Sequence, residues 1–138
     1  MCAHLSKRFH IAVRVREIAQ GRGYRLYQVH KPSNRHLVDI HPVSALPPAR
    51  RIARVLVAAP EELIARKVIA HHQRRGQPKS GTDWRDLAML LVTFPALKRA
   101  EGPVIDRLRA ANADADILNL WNDLVKQKIQ PAKDADEF

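Results

Sequence analysis

Cysteine occurs once in the 138 residues, at Cys2, so no disulfide can close within the chain and no thiolate zinc site can be built. That fits a reducing compartment, and a cytoplasmic location is the expectation. Aromatics are scarce at 5% of residues, which leaves most of the packing to aliphatic side chains. No apolar run approaches membrane-spanning length, and MCAHLSKRFHIAVRVREIAQ carries basic residues through its apolar part instead of a clean signal-peptide core. Contact with a membrane is not expected. Catalytic signatures are missing as well: HExxH, a Walker A run, a full GxGxxG around Gly21 and Gly23, and a nucleophile elbow. The seven histidines show no metal-ligand spacing, since His71 and His72 diverge on a helix and His36 and His41 fall on opposite strand faces. Zinc is therefore discounted.

Acids are also scarce in the first part of the chain. Residues 1–80 hold 16 Lys and Arg against 4 Asp and Glu, whereas residues 81–138 hold 8 against 10, within a net charge of +10. A field of this sign steers nucleotides, RNA or DNA, although the same composition occurs on surfaces that bind nothing. The length fits one domain with a real core.

The pattern along the chain gives a helix and hairpin followed by a helical half. Ser6 can cap a helix to about Gln20, with Leu5, Phe9, Ala12, Val13 and Arg16 at helical spacing, while HIAVRVR also alternates as a strand would. Helix is the preferred expectation. YRLYQVHK and RHLVDIHPV read as strands around the turn Pro32-Ser33-Asn34. Alternation places Leu37, Asp39 and His41 on one face, and His36, Val38 and Ile40 on the other. Pro47 and Pro48 make a loop, and RVLVA follows as a short extended piece.

Pro60 opens a helix with Glu61 and Glu62 at the positive end of its dipole, Leu63, Ile64, Val68, Ile69 and His72 inside, and Gly76 with Pro78 as the stop. Thr82 is expected to cap the next helix, which packs Trp84, Leu87, Ala88, Leu90, Leu91 and Phe94 and ends at Pro95. The two form an antiparallel pair. PVIDRLRAAN and DILNLWNDLVKQKI supply two more helices, and PAKDADEF, residues 131–138, reads as a solvated tail.

Arg66, Lys67, Arg74, Arg75 and Lys79 gather around the turn between the Pro60 and Thr82 helices. They form either a phosphate-binding surface or a solvated helix end, and the latter is the commoner arrangement. Asp83 and Asp86 lie three residues apart near a helix start, where acids are favoured and where both fall on one side. Asp39 is different, because a lone carboxylate between Val38 and Ile40 within a strand is costly unless exposed, paired or bound to metal.

Pro60-Glu61-Glu62-Leu63-Ile64-Ala65-Arg66-Lys67, then Ala70, Arg74 and Arg75, then Lys79-Ser80-Gly81-Thr82-Asp83-Trp84-Arg85-Asp86-Leu87, resembles the AbiEii-type nucleotidyltransferases of bacterial toxin–antitoxin and phage-defence systems. The upstream strand His36-Leu37-Val38-Asp39-Ile40 fits the acid-bearing strand of that family, so the resemblance spans about Gly23 to Leu97. It implies an α+β fold in which a β-hairpin or small sheet remnant of a nucleotidyltransferase-like domain packs on a helical C-terminal half. The expected domain is 1–130, with an α/β part at 1–59 and a helical part at 60–130. The implied chemistry is nucleotidyl transfer from an NTP, often to tRNA, with Mg²⁺ bridging phosphates. By motif match Asp39 is a metal-side carboxylate, Lys67 a triphosphate contact, and Asp83 and Asp86 acceptor-side or structural acids. Arg66, Arg74, Arg75 and Lys79 then bind phosphate or nucleic acid, and a cognate antitoxin is the implied partner.

The chain departs from the family at one place. A Gly-Ser turn and Asp-x-Asp should precede the strand of Asp39, yet the only earlier acid is Glu17. The expectation is a fragment, a truncated product or a degenerate relative, inactive alone and weak in Mg²⁺–NTP binding. The alternative is a basic α-rich module that binds nucleic acid or a partner protein without catalysis.

Overall fold

The computed structural model describes residues 2–18 and 21–130; the 131–138 segment expected as a solvated tail lies outside the described residues. The chain divides into two compact units, Met1–Leu46 and Pro47–Phe138. The class is α+β, with antiparallel sheets of three and two strands and five α-helices among the described residues.

In the first unit, helix α1 (Cys2–Phe9) stops where His10 takes a left-handed φ of 51°. Strand β1 (Ile11–Ile18) follows, so the helix expected to about Gln20 is corrected from residue 11 onward, and Gln20 itself lies outside the described residues. The reason is local. Ile11, Val13 and Val15 are β-branched and alternate with Arg14 and Arg16, which fits a pleated sheet better than the crowded face of a helix. Strand β1 pairs antiparallel with β2 (Gly21–Gln28), and β2 pairs with β3 (Arg35–Ile40), which is the expected hairpin.

The register of that hairpin slips between Leu26 and Tyr27: Leu26 faces Val38, whereas Tyr27 faces His36. Leu37 is the extra residue of a bulge, and a bulge reverses the alternation beyond it. His36 therefore joins Asp39 on one face, against the strict alternation that separated them.

The second unit opens on strands β4 (Ala49–Ile52) and β5 (Val55–Ala58), joined through Ala53 at a φ of 52°. RVLVA is thus extended as expected, but ARRI pairs with it where a loop was anticipated. Helix α2 (Pro60–Gln73) has Pro60 in its first turn followed by Glu61 and Glu62. Helix α3 (Pro78–Thr93) likewise starts on its proline, so Thr82 lies inside the helix and caps nothing. Pro78 brings a φ already suited to a helix and no N–H to leave unsatisfied, and Gly81 is tolerated within the helix that results.

A 3₁₀ turn at Pro95–Leu97 leads to α4 (Pro103–Ala110) and α5 (Ala115–Lys126). Asp114 caps α5 by accepting from the Ile117 N–H at 2.9 Å. The core draws on all four long segments: Ile64 and Val68, Leu87 and Leu91, Val104 and Leu108, Ile117 and Trp121. Each such side chain contributes roughly 1.5–3 kcal/mol by leaving water. Leu63, Ile69 and His72, expected inside, are only half-buried.

Candidate phosphate-binding cleft

The i,i+4 and i,i+7 positions of α2 put Lys67, His71 and Arg74 in one row, and α3 runs antiparallel beside them. Lys67 Nζ donates to Asp86 Oδ2 at 2.8 Å and to Asp83 Oδ1 at 3.3 Å, while Arg74 Nη1 donates to Asp83 Oδ2 at 2.6 Å. Between these rungs His71 Nδ1 lies 3.1 Å from the Ser80 carbonyl oxygen and 3.0 Å from its hydroxyl. Nδ1 donates to the carbonyl in one tautomer and accepts from the hydroxyl in the other, so Ser80 ties the ring to the start of α3 in either form.

Because α3 begins at Pro78, Asp83 stands in its second turn and not at its start. It is 1% exposed, among the most buried residues of the chain. The favourable dipole expected for it is therefore not what holds it; two cations are. Burial pushes its carboxyl upward, but hydrogen bonds from Arg74 and Lys67 outweigh that and leave it below the usual carboxylate range. Lys67 is shifted upward, chiefly by Asp86, against an opposing effect of burial and with further support from Asp83.

The rungs border a cleft of about 560 Å³. Arg66, Lys67 and Arg74 line it together with Asp83 and Asp86, over apolar contributions from Leu63, Ala70, Met89 and Leu90. The expected basic cluster is thus divided. Arg75 lines a separate polar groove with His72, Asp116 and Asp123, and Lys79 is exposed in the first turn of α3.

Arg66 Nε also reaches Glu62 Oε1 at 2.7 Å, and Arg107 Nε from α4 reaches Glu62 Oε2 at 2.8 Å. Glu62 was read only as a dipole-favoured acid; its i,i+4 spacing to Arg66 was the legible sign of more. Burial raises its carboxyl, and the two guanidinium groups bring the net shift below the ordinary value. Glu62→Gln is expected to lower stability by about 1 kcal/mol, since an amide replaces a charge-assisted acceptor of two bonds. Urea denaturation of both proteins checks it.

Asp39 belongs to the other unit and is engaged there. Its two oxygens accept from Arg25 Nε at 2.6 Å and Nη2 at 3.1 Å, and His36 Nε2 lies 3.2 Å from Oδ1. The Arg25 fork is the main cause that lowers its carboxyl from 3.8 to about 2, against a smaller effect of desolvation. Mg²⁺ does not fit this arrangement: one carboxylate with both oxygens already clasped by a guanidinium is not a hard-cation site. No group of three or more His, Cys, Asp or Glu that could hold a metal occurs among the described residues.

The family described as nucleotidyl transferase AbiEii toxin, Type IV TA system, matches residues 7–137, nearly the whole chain. The chain belongs to the AbiEii family. No curated protein and no solved structure matches it. Membership makes it a nucleotidyltransferase-like toxin of a toxin–antitoxin system, with a cognate antitoxin as its counterpart. No helix among the described residues is long and apolar enough to cross a membrane.

Proposed function

We propose that the α2–α3 cleft is the phosphate-recognising part of an AbiEii nucleotidyl transferase, in which Lys67 meets the triphosphate of an NTP with Arg66 and Arg74 beside it. The observation that carries this is the gathering of three cations from α2 and two carboxylates from α3 around one cleft with apolar side chains between them. Asp83 and Asp86 set the position of the Lys67 ammonium and the Arg74 guanidinium before any phosphate arrives. Phosphate then exchanges one set of charge-assisted bonds for another. The acceptor is tRNA or another RNA, the compartment is the cytoplasm, and the systems served include phage defence. Mg²⁺-dependent transfer needs carboxylates beyond Asp39, so this chain alone binds without transferring. A non-catalytic basic module is the second reading, favoured by the carboxylate partners that Lys67 and Arg74 already hold.

Titration calorimetry with each NTP and with tripolyphosphate tests the cleft. Lys67→Ala is expected to weaken triphosphate binding about tenfold, the scale of one lost charge-assisted bond, and Lys67→Arg to retain part of it. Equal affinity for wild type and Lys67→Ala would reduce the row to an ion-paired helix surface.

A further inference from the structure

One face of the β1–β2–β3 sheet is built unlike a solvated surface. Alternation from the pairings Ala12 to Tyr27, Arg14 to Arg25 and Arg16 to Gly23 puts Arg14, Arg16, Arg25 and Tyr27 on the same side. The bulge at Leu37 brings His36 and Asp39 there too. The Arg14 guanidinium lies 5.3 Å from the centroid of the Tyr27 ring, and the His36 ring lies 5.6 Å from Tyr27 on its other flank. Arg25 is held in place by its fork to Asp39. Arg14 and Arg16 are exposed, and no acid pairs with either among the described residues.

We infer that the Tyr27 face of this sheet is a platform for single-stranded RNA. Single strands are bound by combining a cationic track for the backbone with planes on which bases stack, and guanidinium groups serve as such planes beside aromatic rings. Tyr27, the Arg14 guanidinium above it and His36 supply contiguous planes. Arg14, Arg16 and Arg25 supply the cations, in a unit whose only acids are Glu17 and Asp39. A duplex keeps its bases stacked inside and has nothing to offer the rings. Asp39 turns the choice toward RNA: a carboxylate within a cationic face repels phosphate, but the lone pairs that the Arg25 fork leaves on its oxygens can accept from a ribose 2′-hydroxyl, which deoxyribose lacks. This surface belongs to the first unit and the NTP cleft to the second, and the inference does not rest on the cleft.

Fluorescence anisotropy of the full chain with labelled oligouridylate, the matching deoxythymidylate and an RNA duplex, each across a salt series, tests the platform. The single-stranded RNA is expected to bind best, about tenfold weaker to Tyr27→Leu and unchanged to Tyr27→Phe, which keeps the ring. Arg14→Ala/Arg16→Ala should lower the slope of log affinity against log salt by about 1.4, two phosphates' worth for a single strand. Circular dichroism of each variant separates loss of binding from loss of fold. Equal binding to wild type and Tyr27→Leu, or duplex bound as tightly as the single strand, would reduce the face to a cross-strand cation–π pair. Deoxythymidylate bound as tightly as oligouridylate would overturn the ribose assignment. NTP titration of the same preparation keeps the two sites distinct, because failure of the cleft leaves this expectation standing and failure here leaves the cleft.

Discussion

Asp83→Ala is expected to cost about 2–3 kcal/mol of stability. Asp83 is almost wholly buried, and its two oxygens satisfy Lys67 on one side and Arg74 on the other. Removing it leaves two cations facing each other across a space too confined for full hydration. The upper range for a broken buried pair does not apply, because the Lys67 and Arg74 side chains are themselves about a third exposed and Lys67 keeps Asp86. Asp86→Ala, at a more exposed acid, should cost less than about 1 kcal/mol. Urea denaturation of the two variants measures the difference, and equal costs would mean that burial of Asp83 is not what matters.

The same carboxylate fixes a pH dependence. Its folded value lies below its unfolded one, so the contribution is fully present above the ordinary aspartate range near 3.9 and is lost as pH falls through the lower, folded value. Asp39, lowered to about 2, and Glu62 act in the same direction. Wild type should therefore lose stability on acidification below about pH 4 more steeply than Asp83→Asn. Parallel acid transitions would remove Asp83 from that account.

How the sequence disclosed this geometry differs from residue to residue. The row of Lys67 and Arg74 and the i,i+3 pair Asp83 and Asp86 are consequences of helical spacing, so their sidedness was legible. The depth of Asp83 was not, because it depends on where α3 starts. The rule that identified Pro60 as a helix start applies equally to Pro78, and with that start Asp83 moves inward by a full turn. The Tyr27 face was hidden for another reason. HIAVRVR satisfies two periods at once, and only pairing with Gly21–Gln28 decides between them, an interaction between segments that propensity does not contain. The bulge at Leu37 is likewise a property of two strands together. Arg75 lies beyond the end of α2, in the turn before Pro78, so its separation from Arg74 belongs to that turn and not to helical spacing.

Trp121→Ala is expected to have the largest effect, about 4 kcal/mol, while Trp121→Phe should cost less than about 1.5 kcal/mol. Trp121 is fully buried, at the centre of a core shared by α2, α3, α4 and α5. Truncation to alanine removes the largest fully buried side chain among the described residues, and four helices already packed on one core cannot all close on the space. Phenylalanine presents a different balance. It gives up part of the volume, but the indole Nε1–H is buried with no hydrogen-bond partner among the described residues, and an unsatisfied buried donor costs about 1–3 kcal/mol. Losing that donor offsets much of the lost packing. Ile64 and Val68 press on this core from the face of α2 that flanks Lys67, so the alanine variant should lose triphosphate binding in the proportion that it unfolds. Urea denaturation gives the two costs, and calorimetry at low temperature gives the binding. Equal destabilisation by alanine and phenylalanine would mean that the indole nitrogen is satisfied after all, and that shape alone holds the tryptophan.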